Sequence, residues 1–124
     1  MDDRKRHTKG MKVRRAVLGD AHVDHAEAKK NDFSSPFQDL ITRYAWGEIW
    51  TRPGLPRKTR SLITIAMMAA LNRTDELRLH LRAAANNGVT RKEIQEALLQ
   101  TAIYCGVPAA NTAFHIAEEV FEET

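Results

Sequence analysis

The sequence holds a single cysteine, Cys105, among 124 residues. One cysteine rules out an intrachain disulfide and any redox chemistry that cycles a cysteine pair, and it suits a reducing cytosol. A long hydrophobic run is missing too. A membrane-crossing helix needs roughly 20 consecutive apolar residues, and the longest candidate is Leu62 to Leu71, so no membrane span is expected and the protein reads as cytoplasmic. The start, MDDRKRHTKG, is charged and carries no apolar signal segment, so residues 1–10 read as a loose polar leader. There is no glycine-rich phosphate loop. The five histidines form neither H-x-x-x-H nor H-E-x-x-H, so no metal site is expected. No stretch alternates apolar and polar residues as a strand would, and neither repeats nor low-complexity tracts occur.

What is present is the composition of a folded protein: 43% hydrophobic and 28% charged residues, with two Trp and four Phe. The length fits one domain over 1–124, small enough for subunit contacts to add useful burial. The net charge is +3, with the positive residues concentrated before residue 60 and an acidic end at Glu118, Glu119, Glu122 and Glu123. A nucleic-acid partner would call for a longer basic stripe or interleaved aromatics, whereas basic residues around a pocket for a small anion fit this composition.

Punctuation along the chain predicts an all-α fold, an antiparallel bundle of about five to six helices. Residues 11–19 suit a short helix stopped by Gly19, and residues 20–32 read as loop with some helix. Ser35 as cap and Pro36 in the first turn open a helix to about Trp50, with an apolar stripe through Phe37, Leu40, Ile41 and Tyr44. After Arg52-Pro53-Gly54-Leu55-Pro56, a helix runs through Leu71; it is apolar nearly all round, which predicts burial or a subunit interface. Thr74 is expected to cap the next helix, stopped at Asn87-Gly88. Thr90 and Glu93 form a capping box for a fourth that ends at Gly106, and Pro108 begins a fifth.

Two carboxylates and one imidazole carry the candidate chemistry. At 100° per residue, Arg73, Glu76, Leu77, Ala83, Ala84 and Asn87 surround His80, so Glu76 lies one turn away on a face whose alanines leave room for a helix or a ligand. Two readings stay open: an ordinary intrahelical pair, or an imidazole held ready for proton transfer. Glu48 continues the stripe of Phe37, Ile41 and Tyr44, where desolvation would raise its pKa and make it an acid; the alternative is a pair with Arg52 one turn later. Arg57, Lys58 and Arg60 could attract an anion, whereas Arg78 and Arg82 project from the opposite side of His80's helix, as a solvated face or a subunit contact. Cys105 ends a helix, where the dipole disfavours a thiolate, and is expected in the core.

The run LPRKTRSLITIAMMAALNRTDELRLHLRAAANNGVTRKEIQEALLQTAIYCGVPAANTAF resembles the carboxymuconolactone decarboxylase family, most specifically in E-L-R-L-H-x-x-x-A-x-x-x-G-V-T-x-x-E-I-x-E-A-L and in GVPAANTAF. GMKVRRAVLGDAHVDHA and WGEIWTRPGL extend the likeness upstream. Peroxidase-like members of that family carry C-x-x-C four residues ahead of the helix histidine; here those positions hold Arg73 and Glu76, and a glutamate of the redox branch is replaced around Ser61.

The resemblance implies a subunit of a ring-like homo-oligomer, a hexamer, working without a cofactor. The implied reaction is decarboxylation of 4-carboxymuconolactone, a small anionic lactone with two carboxylates, to the enol-lactone of 3-oxoadipate in protocatechuate (aromatic) catabolism. The resemblance places His80 at the family's shared histidine; side-chain type and face then make His80 the expected proton donor, Glu76 its orienting partner, Glu48 an alternative acid, and Arg52 and Arg60 anion clamps. A helix-turn-helix DNA-binding reading of residues 74–105 competes, but its second helix would bring Glu93 and Glu96 to the phosphates. A non-catalytic or redox-partner role is the third reading.

Overall fold

The computed structural model describes residues 1–123. Among them are seven α-helices and no strand, in two compact units, Met1–Pro56 and a second from Arg57 on.

The first unit opens with α1 (Asp3–Leu18), which starts inside the segment expected to be a loose leader. The reason is local: the Asp2 carboxylate accepts from Lys5 N–H at 2.9 Å, capping the helix. Gly19 (φ 92°) ends α1 and leads into α2 (Asp20–Lys29), where irregular structure was expected; Arg15 ties the corner by pairing with Asp20 and Asp24. Asn31 accepts from Phe33 and Ser34 N–H ahead of α3 (Ser35–Ile41), so Ser34 rather than Ser35 is the cap residue.

Beyond Ile41 the chain winds as a π-helix over Thr42–Ile49, with Trp50 N–H donating five residues back to Ala45 O at 3.0 Å. The Thr42 hydroxyl donates to Gln38 O at 2.8 Å, loading that carbonyl with a second donor where the winding changes. A projection at 3.6 residues per turn fails from here on. Phe37, Leu40 and Tyr44, expected to face a core, are 60%, 47% and 40% exposed, while Thr42, Trp46 and Gly47 are buried. Helix α1 crosses this segment glycine to glycine: a Cβ on Gly10 would lie 1.9 Å from Thr42 O, and one on Gly47 2.2 Å from Arg6 O.

The second unit is two antiparallel helix pairs, α4 (Arg57–Ala70) with α5 (Thr74–Ala83) and α6 (Arg91–Cys105) with α7 (Val107–Phe121). Their shared core is aliphatic: Ile65 and Ala69 from α4, Leu77 and Leu81 from α5, Ile94 and Leu98 from α6, Ala113 and Ile116 from α7. Arg73 rather than Thr74 precedes α5, with no side-chain cap, after a left-handed Asn72. The expected stop after α5 holds: a 3-10 turn, Ala84–Asn87, leads to a left-handed Gly88. Thr90 and Glu93 make the reciprocal capping box of α6, at 3.1 and 2.9 Å, and Gly106 ends that helix. Arg91, at the start of α6, donates to Phe121 O and stacks on the Phe121 ring. No helix among the described residues is long and apolar enough to cross a membrane.

Candidate active site

Helix α5 presents the strongest constellation, and its orientation is set by two leucines. Leu77 and Leu81, 1% and 3% exposed, pin one face into the aliphatic core. His80 lies about 60° round from Leu77 on the helix, so it falls at the core's edge: it is half-buried, with its Nδ1 fully inside. Glu76 stands one turn earlier, exposed in the first turn, where the helix dipole favours an anion. Ala83 and Ala84, buried beyond His80, keep the same flank narrow.

The opposite flank of α5 has a different job. Arg78 pairs with Glu119 at 2.7 Å, and Arg82 grips both carboxylate oxygens of Glu123 at 2.7 and 2.8 Å, so these arginines latch α5 to the acidic end of α7 within one subunit. The bond to Arg82 holds the Glu123 carboxyl below its ordinary range and, reciprocally, raises the guanidinium.

Helix α4 brings Arg60 and Ser61 into the same unit as His80. Arg60 is half-buried with its Nε inside, and Ser61 is wholly buried. The basic cluster expected at the start of α4 divides: Lys58 turns to Glu93 at 2.8 Å, and Arg57 is exposed. Lys58, with the Thr90 amide behind it, depresses the Glu93 carboxyl to about 2.

Sequence reasoning missed a buried polar pair here. Asn87 Nδ2 donates to Ala83 O at 3.0 Å and lies 3.4 Å from Ser61 Oγ, so it joins the end of His80's helix to the second turn of α4. The only sequence signal was the place of Asn87 on the His80 face.

Glu48 and Arg52 belong to the first unit. Glu48 is not the desolvated carboxyl that the stripe predicted, and the stripe is already exposed at Phe37 and Leu40 ahead of the π-helical winding. The Glu48 side chain is 39% exposed and accepts from Arg6 Nε at 3.0 Å, so a partner comes from the expected leader. That bond raises the Arg6 guanidinium pKa. Arg52 is exposed, its amide donating to Ile49 O at 3.1 Å.

A second feature of the α4–α7 unit is an open groove of about 530 Å3 between α4 and α6, floored by Leu62, Ile63, Met67 and Ala97 and edged by Tyr104 and Cys105. Cys105, expected in the core, is exposed because α6 buries Ile94, Leu98 and Thr101 and turns this edge outward. Met67 and Leu71 show that α4 buries one side only. No three His, Cys, Asp or Glu side chains among the described residues gather as metal ligands.

Residues 35–119 match the carboxymuconolactone decarboxylase family. A 4-carboxymuconolactone decarboxylase of Acinetobacter baylyi is 54% identical over 123 residues, covering 99% of this chain and 92% of that protein. A nitrosuccinic acid decarboxylase of Metarhizium robertsii is 45% identical over 114 residues, 92% of this chain and 80% of its own length. A further 4-carboxymuconolactone decarboxylase, from Pseudomonas putida, is 58% identical over 48 residues, 39% of this chain and all of that sequence.

Proposed function

We propose that this chain, which belongs to the carboxymuconolactone decarboxylase family, is a carboxy-lyase that converts 4-carboxymuconolactone to the enol-lactone of 3-oxoadipate. The observation that carries this reading is the identity with a protein of that name along nearly the whole chain; the half-buried His80 supplies a proton donor for it.

In this substrate the ring carbon that loses CO2 also bears a carboxymethyl arm and is conjugated through a C=C bond to the lactone carbonyl. The C–C bond to the carboxylate breaks, CO2 leaves, and the electron pair shifts through the ring onto the carbonyl oxygen as a dienolate. A proton delivered to the carbon alpha to the carbonyl gives the product, and solvent restores the proton to its donor. The lactone is its own electron sink, so the protein has only to bind two carboxylates, stabilise an oxyanion and deliver one proton. Nitrosuccinic acid, named for the Metarhizium relative, makes the same demand: a carboxylate sits on a carbon bearing an electron-accepting group, beside a CH2–COO− arm.

In our reading His80 gives the proton and Glu76 holds the imidazole. Arg60 and Arg52 clamp the carboxylates, and Glu48, tied to Arg6, is the alternative acid. The subunits assemble in the cytoplasm as a closed homo-oligomer, a hexamer, and the open apolar groove between α4 and α6 supports a further subunit contact. The decisive experiment supplies purified protein with 4-carboxymuconolactone and follows CO2 release and enol-lactone formation. Turnover is expected with no added metal or cofactor, and an assembled protein that releases no CO2 rejects the assignment.

A further inference from the structure

The core of the second unit is mostly aliphatic, and its buried polar side chains are Thr101, which bonds within its own helix, and the pair Ser61 and Asn87, which bonds between helices. Ser61 is 0% exposed and Asn87 7%. A polar pair in such a place costs desolvation, which its hydrogen bonds offset only in the arrangement that keeps them, whereas an apolar contact would tolerate sliding. The arrangement it fixes is specific. Asn87 Nδ2 holds Ala83 O at 3.0 Å, at the point where α5 gives way to the 3-10 turn, and reaches Ser61 Oγ at 3.4 Å on the second turn of α4. One amide therefore sets both the last turn of the helix that carries His80 and that helix's register against α4, which carries Arg60 in the position next to Ser61.

We propose that Ser61 and Asn87 are positioning residues for His80: the buried hydroxyl–amide bond between α4 and the end of α5 holds the imidazole in the orientation from which it delivers its proton. Neither side chain reaches solvent enough to touch a substrate, so they act through the placement of His80. This rests on the reading of His80 as proton donor for its catalytic consequence, but not for its structural one.

The test uses the full-length protein with 15N-labelled histidine, the His80 ring signals being assigned by their loss in His80→Gln. Ring 15N shifts report the tautomer and hydrogen bonding of each nitrogen at fixed pH. Ser61→Ala and Asn87→Ala are expected to move the His80 signals and leave those of the other four histidines in place. Val120→Ala, a cavity in the same core on α7, is expected to lower stability without moving them. With substrate, Ser61→Ala lowers kcat about tenfold and leaves KM within about twofold, the signature of a misplaced group and not of a lost contact. Ser61→Cys, which keeps a weaker acceptor of similar size for Asn87 Nδ2, recovers part of the loss. His80 signals unmoved in both the Ser61 and Asn87 variants overturn the proposal, as does an equal movement in Val120→Ala. If the signals move as expected while the wild-type protein turns over no lactone, the decarboxylase assignment fails and the positioning role stands.

Discussion

Between Met1 and Pro56 the buried set includes a guanidinium, a hydroxyl and two glycines, whereas from Arg57 on the core is built from aliphatic side chains of four helices. In the first unit Arg14, 4% exposed, donates to Gln38 Oε1 at 3.2 Å and to Thr42 Oγ1 at 3.5 Å, and burial lowers its pKa. Neutral acceptors do little to offset the desolvation of a charge, which Glu27 helps to balance, and this unit adds backbone held at close range, Gly10 against Thr42, to the burial of Val17, Val23 and Trp46. The second unit is packed mainly through apolar area, with the Ser61–Asn87 bond buried between its helices. The difference separates the candidate residues: His80, the proposed proton donor, rides on the aliphatic unit, while Glu48 and its Arg6 partner stay partly in solvent.

The largest expected effect follows from that division. His80→Ala should lower kcat by about 10²–10⁴-fold, the usual range for a lost acid or base. Its urea midpoint should barely change, because the side chain is only half-buried. Glu48→Gln should cost about tenfold or less. Steady-state kinetics on both variants check this, and the reverse order would move proton delivery to the first unit's carboxylate. Next come two substitutions that probe how each unit is held. Leu98→Ala, at a fully buried site, should cost about 3 kcal/mol as a cavity, while Leu98→Met should cost under about 1.5 kcal/mol. Gly10→Ala should also cost about 3 kcal/mol, through overpacking against a backbone carbonyl, and there no larger side chain should be milder. Denaturant unfolding of the three variants is the measurement, and a well-tolerated Gly10→Ala would break the contrast between the units.

The same contrast explains what could be read from the sequence. From Arg57 on, helices wind regularly and stops are local: the capping box at Thr90, Gly88 and Gly106 were each legible as residue types at fixed offsets. The faces of α5 were legible too, since 100° per residue separates His80 from Arg78 and Arg82. In the first unit the π-helical stretch broke the periodicity on which the Glu48 stripe was drawn. Helix α1 carries almost no apolar pattern, so its first turns read as leader although Asp2 caps them. Partners far apart in sequence, Arg6 with Glu48 or Ser61 with Asn87, lie beyond any local rule, because only the packing of helices brings them within 3.5 Å.

A smaller effect tests the junction of α4 and α6. Glu93 titrates near 2 in the folded chain and near 4.5 as its ordinary value, held down first by Lys58 and then by the Thr90 amide. A depressed carboxyl stabilises the fold above its unfolded pKa and loses that contribution as protons bind the native state. The stabilisation should therefore be complete above about pH 4.5 and fall away between there and about pH 2. Urea midpoints measured across that window should drop less for Glu93→Gln than for the parent protein, which would differ from the variant chiefly at the neutral end. High salt should shrink the Lys58 share and leave the capping bonds.

The smallest expected effect is on the rear of α5. Arg82 makes a two-pronged bond to Glu123, but the side chains are 52% and 41% exposed, so water and salt screen the pair, and Arg82→Ala should cost less than about 1 kcal/mol. Arg78→Ala, with one bond to a 59% exposed Glu119, should cost no more. Both should leave kcat and KM unchanged, since the two arginines point away from His80 and already have carboxylate partners within the subunit. Stability measured at low and at molar salt should converge on the parent value in the latter. A drop in turnover with stability intact would instead give this flank a role in substrate capture or assembly, and the division of α5 into a chemical face and a latching face would have to be redrawn.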